Sequence, residues 1–592
     1  MTMSFFLPPA PIVRSILVCF TTLMVWYVCA AAPATYLLDS PELVATTVAL
    51  GISHPPGHPA FHLLSWPFVL LPLGSATFRV HLACATFAAA TCALIPAIAW
   101  RSGWLTLRRD VHLVTLIAIG AGLTQAFLFQ AIRAEVYSLS ALCSVAAWLA
   151  VCAPGRPQPR DWILAATALG IGLLNHHYLI LFTFPTFALR LILTADRTTW
   201  MRSLPLACLT GAGTLAGYLY LVARGFAQAV PAWIWPTDAA DLWWLVSAQA
   251  FQKTAARAAN VDPVAGTLSA MQLMAESMSW PWIFLAFAGL GLLLNRQWKL
   301  ALPLLTLIVF NLVTQIIFDF DAENPDVLGY FMPATIGFAL LVAASLTLGL
   351  RVLPPQADRP ALLYLLASLA LLLGLLVPSA TGRTRSLHDY YDADLLSAHA
   401  LGAPPDATLI TGYFETAFVL WSARAVADER PDIHHLHRSW RTYPHYDAMV
   451  ATLEPQLVAL LDERPEIGGL SVPALLQRAA IAPVLIEAEA FSTPEEGAIS
   501  RPVGLWWQVI PSDQRPPLDA RALEHHTQAM LQSASVPTDA QLHRNLLWAA
   551  WQSARLACRT DPAACPEFVG AGRPLAPNDP MWLELSPGSA PP

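Results

Sequence analysis

Long apolar runs dominate the first two thirds of this 592-residue chain, and they limit its fold more than any other feature. A helix that crosses a bilayer needs roughly 20 mostly apolar residues, because the hydrocarbon offers no water to exposed backbone groups. Such runs occur at about 12–32, 77–99, 111–130, 137–153, 161–177, 178–195, 204–224, 281–295, 300–318, 331–350 and 361–380, so about 11 spans are expected. The first run has the look of a signal peptide, but the many later ones favour a retained anchor.

Charge divides the chain near residue 380. Residues 1–380 hold 18 Lys and Arg against 15 Asp and Glu, while residues 381–592 hold 15 against 25. Only 12% of the whole chain is charged, about half the usual share of a soluble domain. A membrane domain followed by an acidic soluble part is the simplest organisation. Neither part has the basic excess of a nucleic-acid binder, so that class is set aside.

Orientation follows from the loops. One set carries Arg101, Arg108, Arg109, Arg156, Arg160, Arg197, Arg202, Arg296, Lys299, Arg351 and Arg359, and the other carries little beyond Arg133, Lys253 and Arg257. Positive charge favours the cytoplasmic side. The amino terminus is therefore expected in the cytoplasm and residues 381–592 outside it, in an inner or plasma membrane. Cys558 and Cys565 are the two cysteines of the soluble part, and a disulfide there fits an oxidising compartment. Two unrelated thiols are the alternative.

The expected outer face holds the irregular sequence: a first loop at 33–76 with a broken apolar segment at 61–73, and a second at 225–280. Trp233, Trp235, Trp243 and Trp244 of the second loop suit a membrane interface. Four polar clusters fall at this boundary. In the first, Ser40 can cap a helix with Pro41 in its opening turn, which sets Asp39 and Glu42 three residues apart on nearly one face. The capping reading of both acids stands beside a catalytic one. His54 and His58 sit in a rigid His-Pro-Pro-Gly-His-Pro bend and are either solvated or functional. The second cluster is Arg133, Glu135 and Tyr137, where the first two can simply pair with each other. The third is Asn175, His176 and His177. It lacks a well-spaced third ligand, so no zinc site is expected. The fourth is Asp319, Asp321, Glu323 and Asp326 followed by Tyr330, either a solvated acidic loop or part of a site. Ionisable groups near a bilayer are costly and tend to be functional, which favours reading the four together. The chain has no Walker A loop, nucleophile elbow or dinucleotide fingerprint.

Residues 407–413, 433–436, 483–488 and 504–510 read as strands, and 446–462 and 471–481 as amphipathic helices. These make 381–515 a small α/β domain. Segments 519–534 and 538–558 read as a helical pair within 516–592, which ends in a loose proline-rich tail.

The run DSPELVATTVALGISHPPGHPAFHLLSWPFVLLPLGSATFRVHL at 39–82 resembles the first-loop signature of an uncharacterised-domain family related to transmembrane protein O-mannosyltransferases. RAEVYSL at 133–139, GLLNHH at 172–177, the stretch from Asp326 to Pro333, TGYFETAFVLW at 411–421 and RPDI at 430–433 are similar to its later blocks. The outer motif departs from the family's usual Asp-Asn-Asp core, reading Gly412-Tyr413-Phe414-Glu415 here. The resemblance covers about residues 12–440 and implies a GT-C membrane glycosyltransferase, an α-helical polytopic fold with a C-terminal extracytoplasmic α/β plus helical domain.

It further implies a polyprenyl-phosphate-linked sugar as donor, an extracytoplasmic protein or glycan acceptor, and the lipid bilayer as partner. Asp39 is the expected catalytic base, with Glu42 as the second acid of the pattern. His54, His58, Arg133, Glu135, Tyr137, Asn175, His176, His177, Asp326 and Tyr330 are the expected donor-phosphate and substrate-binding residues. No resident metal is assigned, although the chemistry leaves room for a divalent ion. A transporter of a lipid-linked or small solute, or a non-catalytic membrane scaffold, is the alternative.

Overall fold

The computed structural model describes residues 8–585 except 253–261, 318–325, 352–376, 382–396, 462–468, 491–495, 512–518, 529–539 and a few single or paired positions. The described chain forms two compact units. The first takes residues 1–34, 54–223 and 242–388; the second takes 35–53, 224–241 and 389–592.

The first unit is helical. Among the described residues, Ala10–Ala30, Ala76–Arg101, Pro159–Thr194, Thr199–Phe226, Trp280–Val313 and Met332–Gly349 are long and apolar enough to cross a membrane. Helices Arg108–Gly122 and Gln125–Ala131, bent by 64° at a short break, together make a seventh. The count falls short of the expected 11 for definite reasons. Tyr137–Val151 is a helix of only 15 residues, and 361–376, most of the last expected span, lies outside the described residues. Two pairs of expected spans are continuous through kinks, at His176 (φ −146°, ψ 92°) and at Gln297 (φ −144°, ψ 49°).

The kink at His176 turns the chain back on itself. A straight helix of 36 residues would extend about 54 Å, well past the apolar thickness of a bilayer. Instead a Cβ placed on Gly172 would lie 2.5 Å from Ile180 Cδ1, two positions that a straight helix separates by about 12 Å. A side chain at position 172 would have to displace the Ile180 side chain for the two arms to close in this way.

The second unit is built on a five-stranded sheet in the order β2-β1-β3-β5-β4. The strands are β1 (Thr408–Thr411), β2 (His434–His437), β3 (Val484–Glu487), β4 (Ser500–Val503) and β5 (Trp506–Val509). β1 runs parallel to β2 and β3, while β5 runs antiparallel to β3 and β4. β1 and β3 are buried throughout, as the inner strands of the sheet. The edge strand β4 had no counterpart in the sequence reading, since Ser-Arg-Pro-Val lacks an apolar alternation. The helix expected over 446–462 ends at Leu453, and Pro455 begins a 3₁₀ turn to Leu460 instead. Proline has no amide to continue the α-helical ladder.

Helix Phe414–Ala427 follows β1 and packs against helix Ser40–Val48 from the far amino-terminal part of the chain. The buried carboxylate of Glu487 holds its start. That carboxylate accepts the amides of Gly412 (2.7 Å) and Tyr413 (2.9 Å) and the Thr416 hydroxyl (2.6 Å). A negative charge is well placed at the positive end of a helix dipole. Trp233 is 1% exposed inside an aromatic stack with Phe414, Trp440 and Tyr443. That corrects the interfacial placement of this tryptophan, because three rings offer its indole more contact than a membrane surface would. Cys558 and Cys565 form the disulfide, joining helices Ala540–Thr560 and Cys565–Gly572.

Candidate functional site

The polar residues of the first unit converge from four places in the sequence. The His-Pro-Pro-Gly-His-Pro bend leads into helix Pro59–Val69, whose flanking residue His58 has a left-handed backbone (φ +42°). Such a conformation costs a non-glycine residue about 1–2 kcal/mol, so the surroundings must hold it. They do so through the ring. His58 Nδ1 donates to the Asn175 carbonyl, and its Nε2 lies 3.1 Å from His54 Nε2. A carbonyl can only accept, so the proton is assigned to Nδ1 and His54 donates to Nε2. Burial pushes the His58 imidazole well below its ordinary range, and His54 and His176 push it the same way. Gly57 (φ +87°) belongs to the same turn, where a Cβ would press on Leu221 Cδ2 at 2.9 Å.

Asn175 and His176 come from the kink in Pro159–Thr194. Asn175 Nδ2 donates to the Val136 carbonyl and the Ser140 hydroxyl, both at 2.7 Å. His176 stacks on His58 at 5.7 Å and faces Tyr137 at 5.9 Å and Tyr330 at 5.8 Å. Tyr137 and Tyr330 are themselves 5.3 Å apart. His177 points elsewhere and lies against Tyr178 at 4.3 Å. Adjacent residues at a kink do not share a face, which is why only one of the two histidines enters the cluster.

Arg133 sits on the short connection between Gln125–Ala131 and Tyr137–Val151. Its guanidinium is fully buried, 2.9 Å from Glu135 and paired with Asp326 as well. Phe129 lies beneath it at 4.3 Å, and Gln130 accepts from it at 3.3 Å. Arginine is suited to a buried site between two carboxylates because its planar fork satisfies both. Asp319, Asp321 and Glu323 of the fourth cluster lie outside the described residues.

Asp39 and Glu42 belong to the second unit. Helix Ser40–Val48 starts one residue earlier than capping by Ser40 requires, with Asp39 as its flanking residue. Asp39 has helical angles (φ −75°, ψ −9°), and its side chain makes no capping bond. Capping needs an extended backbone there to fold the side chain back onto the first-turn amides. The carboxylates of Asp39 and the fully buried Glu42 come within 4.8 Å of each other. That spacing suits two acids that hold a divalent cation between them.

The sequence reading overlooked Phe129, Gln130, Ser140 and Cys84, which contacts both the amide and the carbonyl of Glu135. Gln130 carries a legible signal, standing three residues before Arg133 at helical spacing. The other three carry none, because apolar and small residues are common in any span.

Residues 39–200 match the family described as the protein O-mannosyl-transferase TMEM260 N-terminal domain. Protein O-mannosyl-transferase TMEM260 of Mus musculus is 29% identical over 208 residues, covering 33% of this chain. The chain thus spans 28% of the length of that relative. Among solved structures, ArnT from Cupriavidus metallidurans bound to undecaprenyl phosphate matches with a TM-score of 0.51 at 12% identity. The match covers 80% of this chain and 93% of that one. The same protein in its apo state matches with a TM-score of 0.48 at 13% identity. Residues 39–200 are therefore similar to the TMEM260 N-terminal domain family, and the chain that holds them shares its fold with ArnT.

Proposed function

We propose that this protein is an integral-membrane glycosyltransferase that moves a sugar from a polyprenyl-phosphate donor to an acceptor hydroxyl on a protein or glycan outside the cytoplasm. The observation that carries the reading is the pair Asp39 and Glu42, which opens the matched segment with two close carboxylates and no capping bond from Asp39. The curated relative is named an O-mannosyl-transferase, and the solved neighbour binds undecaprenyl phosphate. A cleft of about 250 Å³ in the first unit, lined by side chains such as Met271, Met274 and Phe287, suits an apolar chain.

In the proposed step Asp39 accepts the proton of the acceptor hydroxyl while its oxygen attacks the anomeric carbon in line. The new glycosidic bond forms as the bond from that carbon to the phosphate oxygen breaks. Polyprenyl phosphate leaves with the electron pair, and the configuration inverts. Phosphate is a good leaving group, so no general acid is needed. Its growing charge needs donors. Arg133 already divides its charge between Glu135 and Asp326, which favours a bracing role for it.

The test is transfer by purified protein in a detergent without sugar headgroups. Polyprenyl-phosphate mannose, glucose and arabinose are supplied separately, with and without a chelator, and Asp39→Asn is run in parallel. Turnover or donor hydrolysis that vanishes in the folded variant supports the reading. Full activity in Asp39→Asn removes that residue from the mechanism. No binding of any donor turns the reading towards a transporter or scaffold.

A further inference from the structure

The second unit holds a cavity of about 350 Å³ that the proposed chemistry does not use. Trp421, Trp440 and Tyr446 supply aromatic walls, and Arg424, His435 and Glu454 supply the polar groups. The volume falls in the range of small-molecule sites, and so does this pattern of mostly apolar lining with a few convergent polar groups. We propose that this cavity is a saccharide-binding pocket that takes one neutral sugar residue, its ring face against Trp421 and its hydroxyls on the polar groups.

The charges select the ligand class. Arg424 and Glu454 approach to 3.9 Å and offset each other, with side chains 30% and 17% exposed. Burial, with Arg424 nearby, pushes His435 down to about 3, so the imidazole is neutral. An anion would meet Glu454 and a cation would meet Arg424, each without a counter-charge of its own. A lipid chain would desolvate the ion pair and return no hydrogen bonds. A polyhydroxylated ring satisfies both halves of the lining. It has an apolar face for the rings and hydroxyls that both donate and accept.

Arg424 Nε and Trp440 Nε1 are buried behind this lining, without a hydrogen-bond partner among the described residues. The rest of the wall is fixed. Trp440 lies 5.1 Å from Trp421 and 5.1 Å from Trp233, and Arg224 holds the carbonyls of Ala49 and Leu50 at 3.3 and 2.5 Å. Ala49 lines the pocket at the far end of the short helix that Asp39 opens, about 15 Å along the helix axis. A sugar held there is too distant to react, but it can anchor an oligosaccharide whose next units extend towards the carboxylates. This anchoring role rests on the transferase reading; sugar binding does not.

Saturation-transfer NMR on the full-length protein, in a detergent without a sugar headgroup, tests the proposal. Methyl α-mannoside, methyl β-glucoside and methyl β-galactoside are the probes. At least one is expected to receive saturation at its ring protons. Trp421→Leu, with an unchanged melting profile, is expected to cut the effect at least about fivefold. Glu454→Gln, which keeps the wall, is expected to weaken it less. Binding that persists in Asp39→Asn while transfer is lost separates the pocket from the catalytic step. No saturation of any probe, or equal saturation in Trp421→Leu, overturns the proposal. So does a serine- or threonine-containing tripeptide that binds in place of the sugars and is lost in Trp421→Leu.

Discussion

Arg133 reaches Glu135 across 2.9 Å with both side chains buried, and the same guanidinium pairs with Asp326 from 193 residues further along. Two distant chain segments are thereby held at one point. Breaking a buried pair strands the remaining charge, which costs roughly 3–5 kcal/mol. Arg133→Met is expected to lower the melting temperature by several degrees, and Arg133→Met with Glu135→Leu and Asp326→Asn to recover much of the loss. Thermal unfolding in detergent is the readout, and an unchanged single variant would mean that the pair is not desolvated.

Removing a positioned general base typically costs about 10²–10⁴-fold in rate. Under the proposed mechanism, Asp39→Asn is therefore expected to depress kcat by this order with little change in KM for the donor. Glu42→Gln combines a rate effect with a stability loss, because the Glu42 side chain is fully buried. Steady-state transfer and melting curves on the two variants tell these apart, and a pure KM effect in Asp39→Asn would argue for binding alone.

Glu487 gathers two amides and a hydroxyl at the start of helix Phe414–Ala427. Glutamine keeps one acceptor and introduces donors that face donors. Hydrogen bonds to charged groups contribute about 1.5–3 kcal/mol each, so Glu487→Gln is expected to destabilise by at least this amount. Chemical denaturation monitored by tryptophan fluorescence measures it.

His435 brings a pH dependence of known sign. Its imidazole titrates at about 3 in the folded protein, below the ordinary 6.5, because burial disfavours the charged form. As the pH falls below 6.5 the unfolded chain takes up a proton that the fold refuses. Stability contributed by this group is complete above 6.5 and drains by up to about 1.4 kcal/mol per pH unit down to about 3. His437, also held neutral by burial, adds to the same trend. The acid slope of the melting temperature is expected to flatten in His435→Gln. An unchanged slope would show that histidine burial is not its source.

The disulfide makes a countable prediction. Seven cysteines are free and two are paired, so labelling the denatured protein without reductant is expected to mark seven thiols. Closing so short a loop, with a separation of seven residues, stabilises by about 2–3 kcal/mol on chain-entropy grounds. Reductant is expected to lower the melting temperature accordingly, and nine labelled thiols would show that the bond does not form.

The helices were legible because span length and apolarity are properties of a single segment. The kinks were legible too, since His176 and Gln297 fall at the expected breaks between the runs 161–177 and 178–195 and between 281–295 and 300–318. Strands β1, β2, β3 and β5 were found within a few residues of their ends, but the crossovers that bring β1 between β2 and β3 depend on distant pairing. The polar clusters were visible one by one. Their meeting was a guess from boundary position, and the structure brings together His54, His58, Arg133, Glu135, Tyr137, Asn175, His176, Asp326 and Tyr330 while His177 turns away. Least legible was the membership of the second unit. Hydrophobic periodicity does not report that 35–53 and 224–241 pack with a domain that resumes at 389.

That discontinuity bears on how the protein is made. The second unit is assembled from three stretches that leave the ribosome far apart in time, the last of them after more than half the chain has been synthesised. Helix Ser40–Val48 and Trp233 must wait, with their apolar faces uncovered, until the sheet arrives. A message truncated anywhere before β3 would yield an inserted but unfinished protein that presents those faces to chaperones and proteases. Residues 389–592 made as a separate fragment would lack the pieces that complete their own core, and a soluble excised domain would have to carry both earlier stretches grafted onto it.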